Sequence, residues 1–192
     1  MTRLRNYYGI YKIYDQDGLR YLQHGTTQHG RQYLAGPKRQ IPLAYYHPTT
    51  PVGGVLLCAA FDFKDIGMIG LGSGALATYV GTGQVFTIYE LDPDNGRIAE
   101  ESFSYIDQAR QQGATIEYVY GDGRVSLRSR PPASLDLLII DAFSSGAIPV
   151  HLLTTQAFEA YLRVLREDGI LLMHVQIKCS ICCRLSIAMP GR

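Results

Sequence analysis

Short apolar runs alternate with longer amphipathic stretches from residue 66 to residue 175. The apolar runs predict buried strands, while the stretches between them have helical spacing or helix-capping residues. Strands that alternate with helices predict a Rossmann-like, doubly wound and mostly parallel α/β sheet. In the last predicted helix, Phe158, Leu162 and Leu165 share one face and are expected to be buried. The predicted strands are 66–71, 84–91, 115–120, 135–140 and 170–175, and the predicted helical segments are 72–80, 93–113, 121–129 and 153–169.

The first fifty residues follow a different pattern, rich in Tyr, Gly, Gln and His. Aromatic and β-branched runs on both sides of the "DQDG" turn predict a β-hairpin. Prolines and glycines follow this region, and a short connecting helix is predicted over 52–63. We therefore divide the chain into an N-terminal β-hairpin region (1–50), a Rossmann-like nucleoside-binding domain (51–175) and an atypical, disordered tail (176–192).

Charge and hydropathy exclude several classes of partner. The chain has 192 residues with 18 basic and 17 acidic side chains, and its net charge is +1. Without a basic stripe, a nucleic-acid partner has no support. No apolar run reaches the length of a membrane span, and the first residues have no signal-peptide core. The expected protein is soluble and cytoplasmic, with neither a nucleic-acid nor a membrane partner.

The four cysteines do not form a recognisable metal site. Cys58 stands alone in an apolar run and is expected to be buried. The other three are close together near the C-terminus without a second ligand pair at zinc-site spacing. We therefore expect no bound metal. The C-terminal three are Cys179, Cys182 and Cys183.

Three consecutive predicted strands end in residues suited to nucleoside binding. The first is followed by "GLGSGA", in which glycines allow tight turns and close approach of a ligand. The second ends at Glu90, which could accept hydrogen bonds from ribose hydroxyls, and the third is followed by Asp122, which could accept one from an adenine amino group. Because NAD enzymes do not need the third feature, the series favours S-adenosylmethionine or a relative over NAD. The loop glycines are Gly70, Gly72 and Gly74.

The fourth predicted strand, "LDLLII", ends on Asp141. An aspartate after a strand is often only the cap of the following turn. Ligands of doubly wound sheets, however, bind outside the carboxyl ends of the strands. Asp141 is therefore a candidate for chemistry as well as for a cap.

Taken in order, "GLGSG", "YELDP", "GDG" and "IIDAFS" resemble the spermidine synthase (polyamine aminopropyltransferase) family, within the class I methyltransferase superfamily. Upstream, "QHGTTQ" and "AYYH" are similar to the substrate-facing segments of that family. The resemblance extends from about Tyr8 to Val175. It implies S-adenosylmethionine or its decarboxylated form as co-substrate, no metal, and transfer of an aminopropyl group to an amine such as putrescine.

The resemblance also assigns roles to individual residues. Asp141 would accept the proton of the attacking amine and orient it. The nucleoside would be held by Gln28, Glu90, Asp122, Gly123 and the three loop glycines. The amine substrate would contact Tyr46, His47 and Ser144.

Departures from the family pattern leave other functions open. Serines stand at Ser73 and Ser144, and Pro48 follows "YH", where the family usually has acids, so a dicationic amine would lose binding partners. Two alternatives therefore remain: a methyltransferase that uses intact S-adenosylmethionine on a small acceptor, and a non-catalytic nucleoside-binding module.

Three histidines lie near these segments. His24, His47 and His151 are expected to be polar loop residues rather than catalysts.

The final residues do not resemble the rest of the family pattern. After Val175 the chain lacks the periodicity of a further helix and antiparallel strand pair, so the C-terminal sheet elements are expected to be missing. The strand 170–175 would then form an open sheet edge, which favours self-association and leaves open a homodimer.

Overall fold

The computed structural model describes residues 1–143 and 148–174. Its first element is a four-stranded antiparallel sheet in the order β1-β2-β3-β4. The predicted hairpin connects β2 and β3 through Asp17 and Gly18, both with positive φ, which suits a two-residue turn between twisted strands. The four strands are β1 (Thr2–Asn6), β2 (Gly9–Gln16), β3 (Leu19–His24) and β4 (Thr27–Tyr33).

The second sheet is parallel and confirms the predicted α/β class. Its five strands lie in the order β7-β6-β5-β8-β9, so the chain reverses direction across the sheet between β5 and β8. Ligand sites of such sheets lie outside the strand ends at this reversal. The strands are β5 (Asp65–Ile69), β6 (Val85–Glu90), β7 (Thr115–Tyr120), β8 (Leu135–Ile140) and β9 (Leu165–Met173).

Five α-helices and four 3₁₀ segments connect these strands within the described part of the chain. Many begin at capping residues visible in the sequence, such as Thr50, Asp92 and Asp122, whose side chains accept hydrogen bonds from backbone N–H groups. The α-helices are α1 (Pro51–Leu56), α2 (Pro93–Ser102), α3 (Tyr105–Gln111), α4 (Gly123–Arg128) and α5 (Thr155–Val164). The 3₁₀ segments are Pro37–Gln40, Ala44–Tyr46, Ala75–Tyr79 and Val150–Leu153.

The core lies on both faces of the parallel sheet. Along β8, Leu137 and Ile139 belong to one hydrophobic cluster while Leu138 and Ile140 belong to the other, as the alternation of side chains along a strand requires. The first cluster also contains residues of the antiparallel sheet, including Leu22. The two sheets therefore share a core, and the boundary at residue 50 stays a prediction.

Several local predictions were wrong. The helix expected over 93–113 is two helices, α2 and α3. The last helix ends at Val164, five residues earlier than expected, and it buries Ala157, Ala160, Tyr161 and Val164. Leu162 is 64% exposed because it lies on the opposite side of that helix. Cys58 is exposed, since α1 has already ended and the residue lies in a solvent-facing turn.

Two sets of predictions lie outside the described residues. They concern Ser144, and the tail with its three cysteines. Within residues 1–143 and 148–174, no helix is both long and apolar enough to cross a membrane. In the same residues, His, Cys, Asp and Glu side chains form no group of three or more that could hold a metal ion.

Candidate active site

A cleft of about 240 Å³ lies at the carboxyl ends of the parallel strands. The loops that follow β5, β6, β7 and β8 form the floor of the cleft. Tyr11, His24 and His29 of the antiparallel sheet form one of its walls. Parallel pairing aligns these strand ends: Ile69 pairs with Tyr89 and Ile140, and Glu90 pairs with Tyr120. The strand-end residues predicted from the sequence are therefore brought together in one cleft.

The glycine loop after β5 allows two close backbone contacts. Gly70 has φ of +91°, and a Cβ there would lie 2.6 Å from the backbone oxygen of Asp141. Gly72 has φ of +57°, and a Cβ there would lie 2.6 Å from the backbone oxygen of His29. Both glycines line the cleft. Gly74 does not line the cleft. It packs against Ile106 on the core side of the loop and directly precedes the 3₁₀ segment Ala75–Tyr79.

Glu90 is buried at the end of β6 and lines the cleft. Its Oε2 accepts hydrogen bonds from the Leu71 N–H and the Asn95 side-chain amide, each at 3.0 Å, and its Oε1 accepts one from the Asp92 N–H at 2.9 Å. Burial raises the pKa of Glu90, and the three donors oppose that rise. The carboxylate is therefore fixed in position, and one lone pair of Oε1 remains for a ligand.

Asp122 caps α4 at the end of β7. Its Oδ1 accepts hydrogen bonds from the N–H groups of Arg124 at 2.9 Å and Val125 at 3.2 Å. Its Oδ2 lies 3.6 Å from His151 Nε2, and both residues line the cleft. Gly123 lets α4 approach β5, because a Cβ there would lie 2.8 Å from the Ile69 side chain. One oxygen of Asp122 thus stabilises the helix, and the other remains available at the cleft.

Asp141 lies at the junction of three cavities. It lines the cleft described above, a narrow pocket of about 40 Å³ beside it, and a groove of about 400 Å³. Tyr46 donates a short hydrogen bond to Asp141 Oδ2, and His174 Nδ1 lies 2.6 Å from Oδ1. Burial, followed by the charge of Asp141, raises the pKa of Tyr46 well above its ordinary value. Tyr46 is therefore a permanent hydrogen-bond donor to this carboxylate.

The narrow pocket, which we call the acceptor pocket, lies between Asp141 and the end of the antiparallel sheet. Its lining consists of Thr27, Gln28, His29, Tyr45, Tyr46, Gly72, Asp141, Phe143 and His174. Gln28, predicted to hold the nucleoside, lines this pocket but not the larger cleft. His47 lines neither, because its ring forms a local turn in which Nδ1 lies 2.8 Å from Thr49 Oγ1. The roles of both residues stay predictions.

Two histidines in the walls were not assigned a role from the sequence. His29 on β4 lines both the cleft and the acceptor pocket, and His174 lines the acceptor pocket and the groove. His24, expected to be a polar loop residue, is a strand residue whose ring stacks on Tyr11 at 4.3 Å. His174 directly follows β9 and so meets Asp141 at the same sheet edge, whereas the predicted strand 170–175 had placed it inside a strand. His29 had no signal in the sequence, because its place depends on how the two sheets pack.

Burial, with a smaller contribution from the neighbouring His24, lowers the pKa of His29 to about 4. Below about pH 6.5, the unfolded chain takes up a proton at this residue that the folded chain takes up only near pH 4. The free energy of unfolding should therefore decrease as the pH is lowered from about 6.5 to about 4. We expect His29→Gln to remove about 1–2 kcal/mol of the loss between pH 7 and pH 5, measured by urea denaturation. Parallel pH curves for the two proteins would contradict the burial of this imidazole.

Neither protein-family models nor curated proteins match the chain, but solved structures do. A probable spermidine synthase from Corynebacterium glutamicum superposes with a TM-score of 0.71 at 19% identity, covering 90% of this chain and 62% of that one. The spermidine synthase from Thermotoga maritima gives 0.64 at 18% identity, with coverages of 89% and 55%. The chain has the spermidine synthase fold. A spermidine synthase in complex with the transition state analogue AdoDATO gives 0.63 at 17% identity, with 89% and 54% covered.

Similarity at this level of identity establishes the fold, and the chain spans 54–62% of the length of these three structures. Two of the departures from the spermidine synthase pattern, Pro48 and Ser73, lie among the described residues, and Ser73 is the one in the glycine loop. Its side chain is buried, and its Oγ has no hydrogen-bond partner among the described residues. A Cβ on Gly30 would overlap this hydroxyl. Residue 73 therefore packs beneath β4 and is absent from the lining of both the cleft and the acceptor pocket.

Several residues of the cleft could hold a nucleoside. Glu90 and Asp122 offer carboxylate oxygens at neighbouring strand ends, Gly70 and Gly72 leave room for close approach, and apolar side chains such as Leu152 complete the wall. Asp141 places a further carboxylate where the cleft meets the acceptor pocket. These hydrogen-bond acceptors suit the hydroxyl and amino donors of a neutral sugar and base joined to a cationic centre.

Proposed function

We propose that the protein is a transferase of the aminopropyltransferase type. It would bind S-adenosylmethionine or its decarboxylated form in the cleft and transfer an alkyl group, aminopropyl in the leading case, to an amine such as putrescine. The observation behind this proposal is the position of Asp141, whose buried carboxylate borders both the nucleoside cleft and the acceptor pocket. The spermidine synthase fold supports the same function.

Asp141 would supply what the chemistry of an amine acceptor needs. Alkyl amines ordinarily have a pKa near 10.4, so at neutral pH they are protonated and have no lone pair for attack. A carboxylate attracts the ammonium cation and promotes loss of its proton beside the reacting carbon. Positioning contributes most of the remaining effect, because the alkyl group moves by in-line displacement from a sulfonium that is already a good leaving group.

The acceptor pocket favours a small amine. Tyr45, Tyr46 and Phe143 present aromatic rings around it, and such rings attract cations. Asp141 is the only acidic residue in its described lining. One carboxylate can pair with one ammonium group, so the second ammonium of a diamine would have to lie outside the pocket.

A second candidate function is methyl transfer from intact S-adenosylmethionine. The buried position of Ser73 favours it, because the glycine loop then offers no side-chain carboxylate to the ammonium of an aminopropyl group.

Titration calorimetry with S-adenosylmethionine, decarboxylated S-adenosylmethionine and methylthioadenosine, together with analysis of the amine products, would separate the two functions. Aminopropyl transfer requires binding of the decarboxylated donor and formation of spermidine from putrescine. Tighter binding of the intact donor, with methylated amine as product, would establish the second function.

The same experiment tests the proposal as a whole. Binding of all three nucleosides without transfer to any amine would indicate a nucleoside-binding module. Absence of nucleoside binding would overturn the assignment of the cleft, and tight binding of NAD would replace it with a dinucleotide site.

Asp122 offers a clean probe of nucleoside binding. Asp122→Ser removes the oxygen that faces the cleft but retains a side chain that caps α4 well. We expect nucleoside affinity to fall about 5- to 150-fold, because a buried hydrogen-bond donor of the ligand would lose the carboxylate oxygen that accepts from it. The melting temperature should change little. Asp62→Ser, at a side chain that is 83% exposed, is the matched control and should leave affinity unchanged. Equal affinities in the two variants would show that Asp122 only caps the helix.

A further inference from the structure

His174 is held against Asp141 by the pairing of the last two parallel strands. Met173 at the end of β9 pairs with Ile140 at the end of β8, so the next residue of each strand lies at the same sheet edge. The His174 N–H donates to the Ile140 carbonyl at 3.0 Å, and its Nδ1 lies 2.6 Å from Asp141 Oδ1. The imidazole is therefore positioned through both its backbone and its ring.

The contacts of Asp141 determine which nitrogen of His174 carries the proton. An ionised carboxylate only accepts hydrogen bonds, so Nδ1 must be the donor in the pair with Oδ1. In the neutral imidazole, Nε2 then keeps its lone pair. Because Tyr46 donates to Oδ2, each oxygen of the carboxylate already has a protein donor.

The ring of His174, rather than the carboxylate, is the more accessible of the two groups. The His174 side chain is 30% exposed, compared with 4% for that of Asp141. Its ring centroid lies 5.0 Å from that of Tyr45 and 4.9 Å from that of Phe143. The imidazole thus forms part of the aromatic wall of the acceptor pocket, where an amine would bind.

We infer that His174 Nε2 accepts the proton of the amine acceptor, with Asp141 as the group that orients and stabilises the imidazole. This inference rests on the proposed function and deepens it by assigning the base. Among the described residues, the titratable groups that line the acceptor pocket with His174 are Asp141 at the end of β8, Tyr45 and Tyr46 of the 3₁₀ segment, and His29 on β4. Asp141 is the carboxylate among them, and it stabilises the imidazolium that forms.

The step balances in atoms and charge. The ammonium N–H bond breaks, and its proton passes to Nε2. The nitrogen lone pair then forms a bond to the carbon attached to sulfur, and the electrons of the breaking carbon–sulfur bond go to sulfur, which becomes a neutral thioether. The product is a secondary ammonium ion, and the imidazolium releases its proton to solvent. An imidazole is ordinarily a stronger base than a carboxylate by about two to three pKa units, so it matches an amine better.

Two substitutions separate a base from a merely structural histidine. In His174→Asn the amide nitrogen can take the place of Nδ1 and donate to Asp141, but no base remains. His174→Gln also removes the base. Its amide lies further from the backbone than Nδ1 does, so it cannot donate to Asp141 from the same position. We expect turnover to fall by about 100-fold or more in both variants, while nucleoside affinity stays within about twofold of the unmodified protein. Added imidazole should restore part of the turnover of His174→Ala.

Near-normal turnover in His174→Asn, with loss in His174→Gln, would overturn the inference and assign His174 to holding Asp141. An unmodified protein that binds nucleosides but transfers nothing would instead refute the proposed function.

The hydrogen bond between His174 and Asp141 can be tested without turnover by nitrogen-15 NMR of the histidines. In the neutral ring of His174 we expect the proton on Nδ1 rather than on Nε2, and Asp141→Asn to abolish that preference. A neutral ring that carries its proton on Nε2 in the unmodified protein would overturn the inference in either case.

Discussion

Replacing Asp141 with asparagine should reduce transfer by about 10²- to 10⁴-fold and leave nucleoside affinity within about threefold. The substitution preserves size but removes the negative charge that attracts the ammonium and stabilises an imidazolium on His174. An amide at this place also presents an N–H group to Tyr46 or to His174, both of which are donors here. Steady-state kinetics and calorimetry on the same preparation would measure the two quantities.

Asp136 provides the matched control because it lies at the opposite end of the same strand. Its carboxylate accepts hydrogen bonds from the N–H groups of Lys64 and Asp65 and pairs with Arg166, and it lies outside the cleft. Asp136→Asn should lower the free energy of unfolding without changing turnover of the folded protein. Retained turnover in Asp141→Asn would return Asp141 to the role of a turn cap.

Replacing Gly70 with alanine should lower the free energy of unfolding by about 2–5 kcal/mol. Two costs add: a side chain at a φ of +91°, worth about 1–2 kcal/mol, and the clash of its Cβ with the Asp141 backbone, worth about 1–3 kcal/mol. Relief of the clash would also displace Asp141, so turnover should fall in molecules that remain folded. Urea denaturation and activity measured together would show both effects.

Gly18→Ala separates the two costs. Gly18 has φ of +74°, but a Cβ there would meet nothing within 4 Å, so only the backbone conformation is penalised. We expect a loss of about 1–2 kcal/mol and unchanged turnover. If the two variants lost equal stability, the close contact between the glycine loop and Asp141 would be refuted.

The sequence predicted the class of fold and the alternation of strands and helices along the chain, because those depend on local patterns. It failed at the break between α2 and α3, where a distant residue decides the structure. Gln32 on β4 accepts a hydrogen bond from the Ser104 N–H at 3.1 Å and donates one to the Ser104 hydroxyl at 2.8 Å. These bonds replace helical ones, and Phe103 turns into the core. Helical periodicity continues through the break and so could not reveal it.

The end of the last helix was misplaced for a similar reason. Helical spacing suggested that it continues to Gly169, but Leu165 already pairs with Leu135 at the beginning of β9. Arg166 then forms ion pairs with Asp65 and Asp136, at the amino ends of two neighbouring strands. Contacts between residues this distant in sequence outweigh the weak local preference for helix.

Within the site, the residues at the ends of strands were predictable from local patterns, whereas Gln28 of the antiparallel sheet was named only from the family resemblance and His29 was not named. Glu90, Asp122 and Asp141 lie at one edge because parallel strands align their carboxyl ends. His174 obeys the same rule, but a single histidine has no motif to indicate its role. The place of His29 depends on the packing of β4 over the glycine loop, which no local pattern encodes.

The cleft has walls from two sheets, so its ligand and its folding are thermodynamically linked. Tyr11 and His29 of the antiparallel sheet line one cavity together with Glu90 of the parallel sheet and Asp141, which follows β8. A ligand that touches both sets binds only while the sheets are docked, and at one hundred times its Kd it would add about 2.7 kcal/mol to the stability of that docked state. A nucleoside bound there would therefore act on this protein as a cross-link between its two sheets.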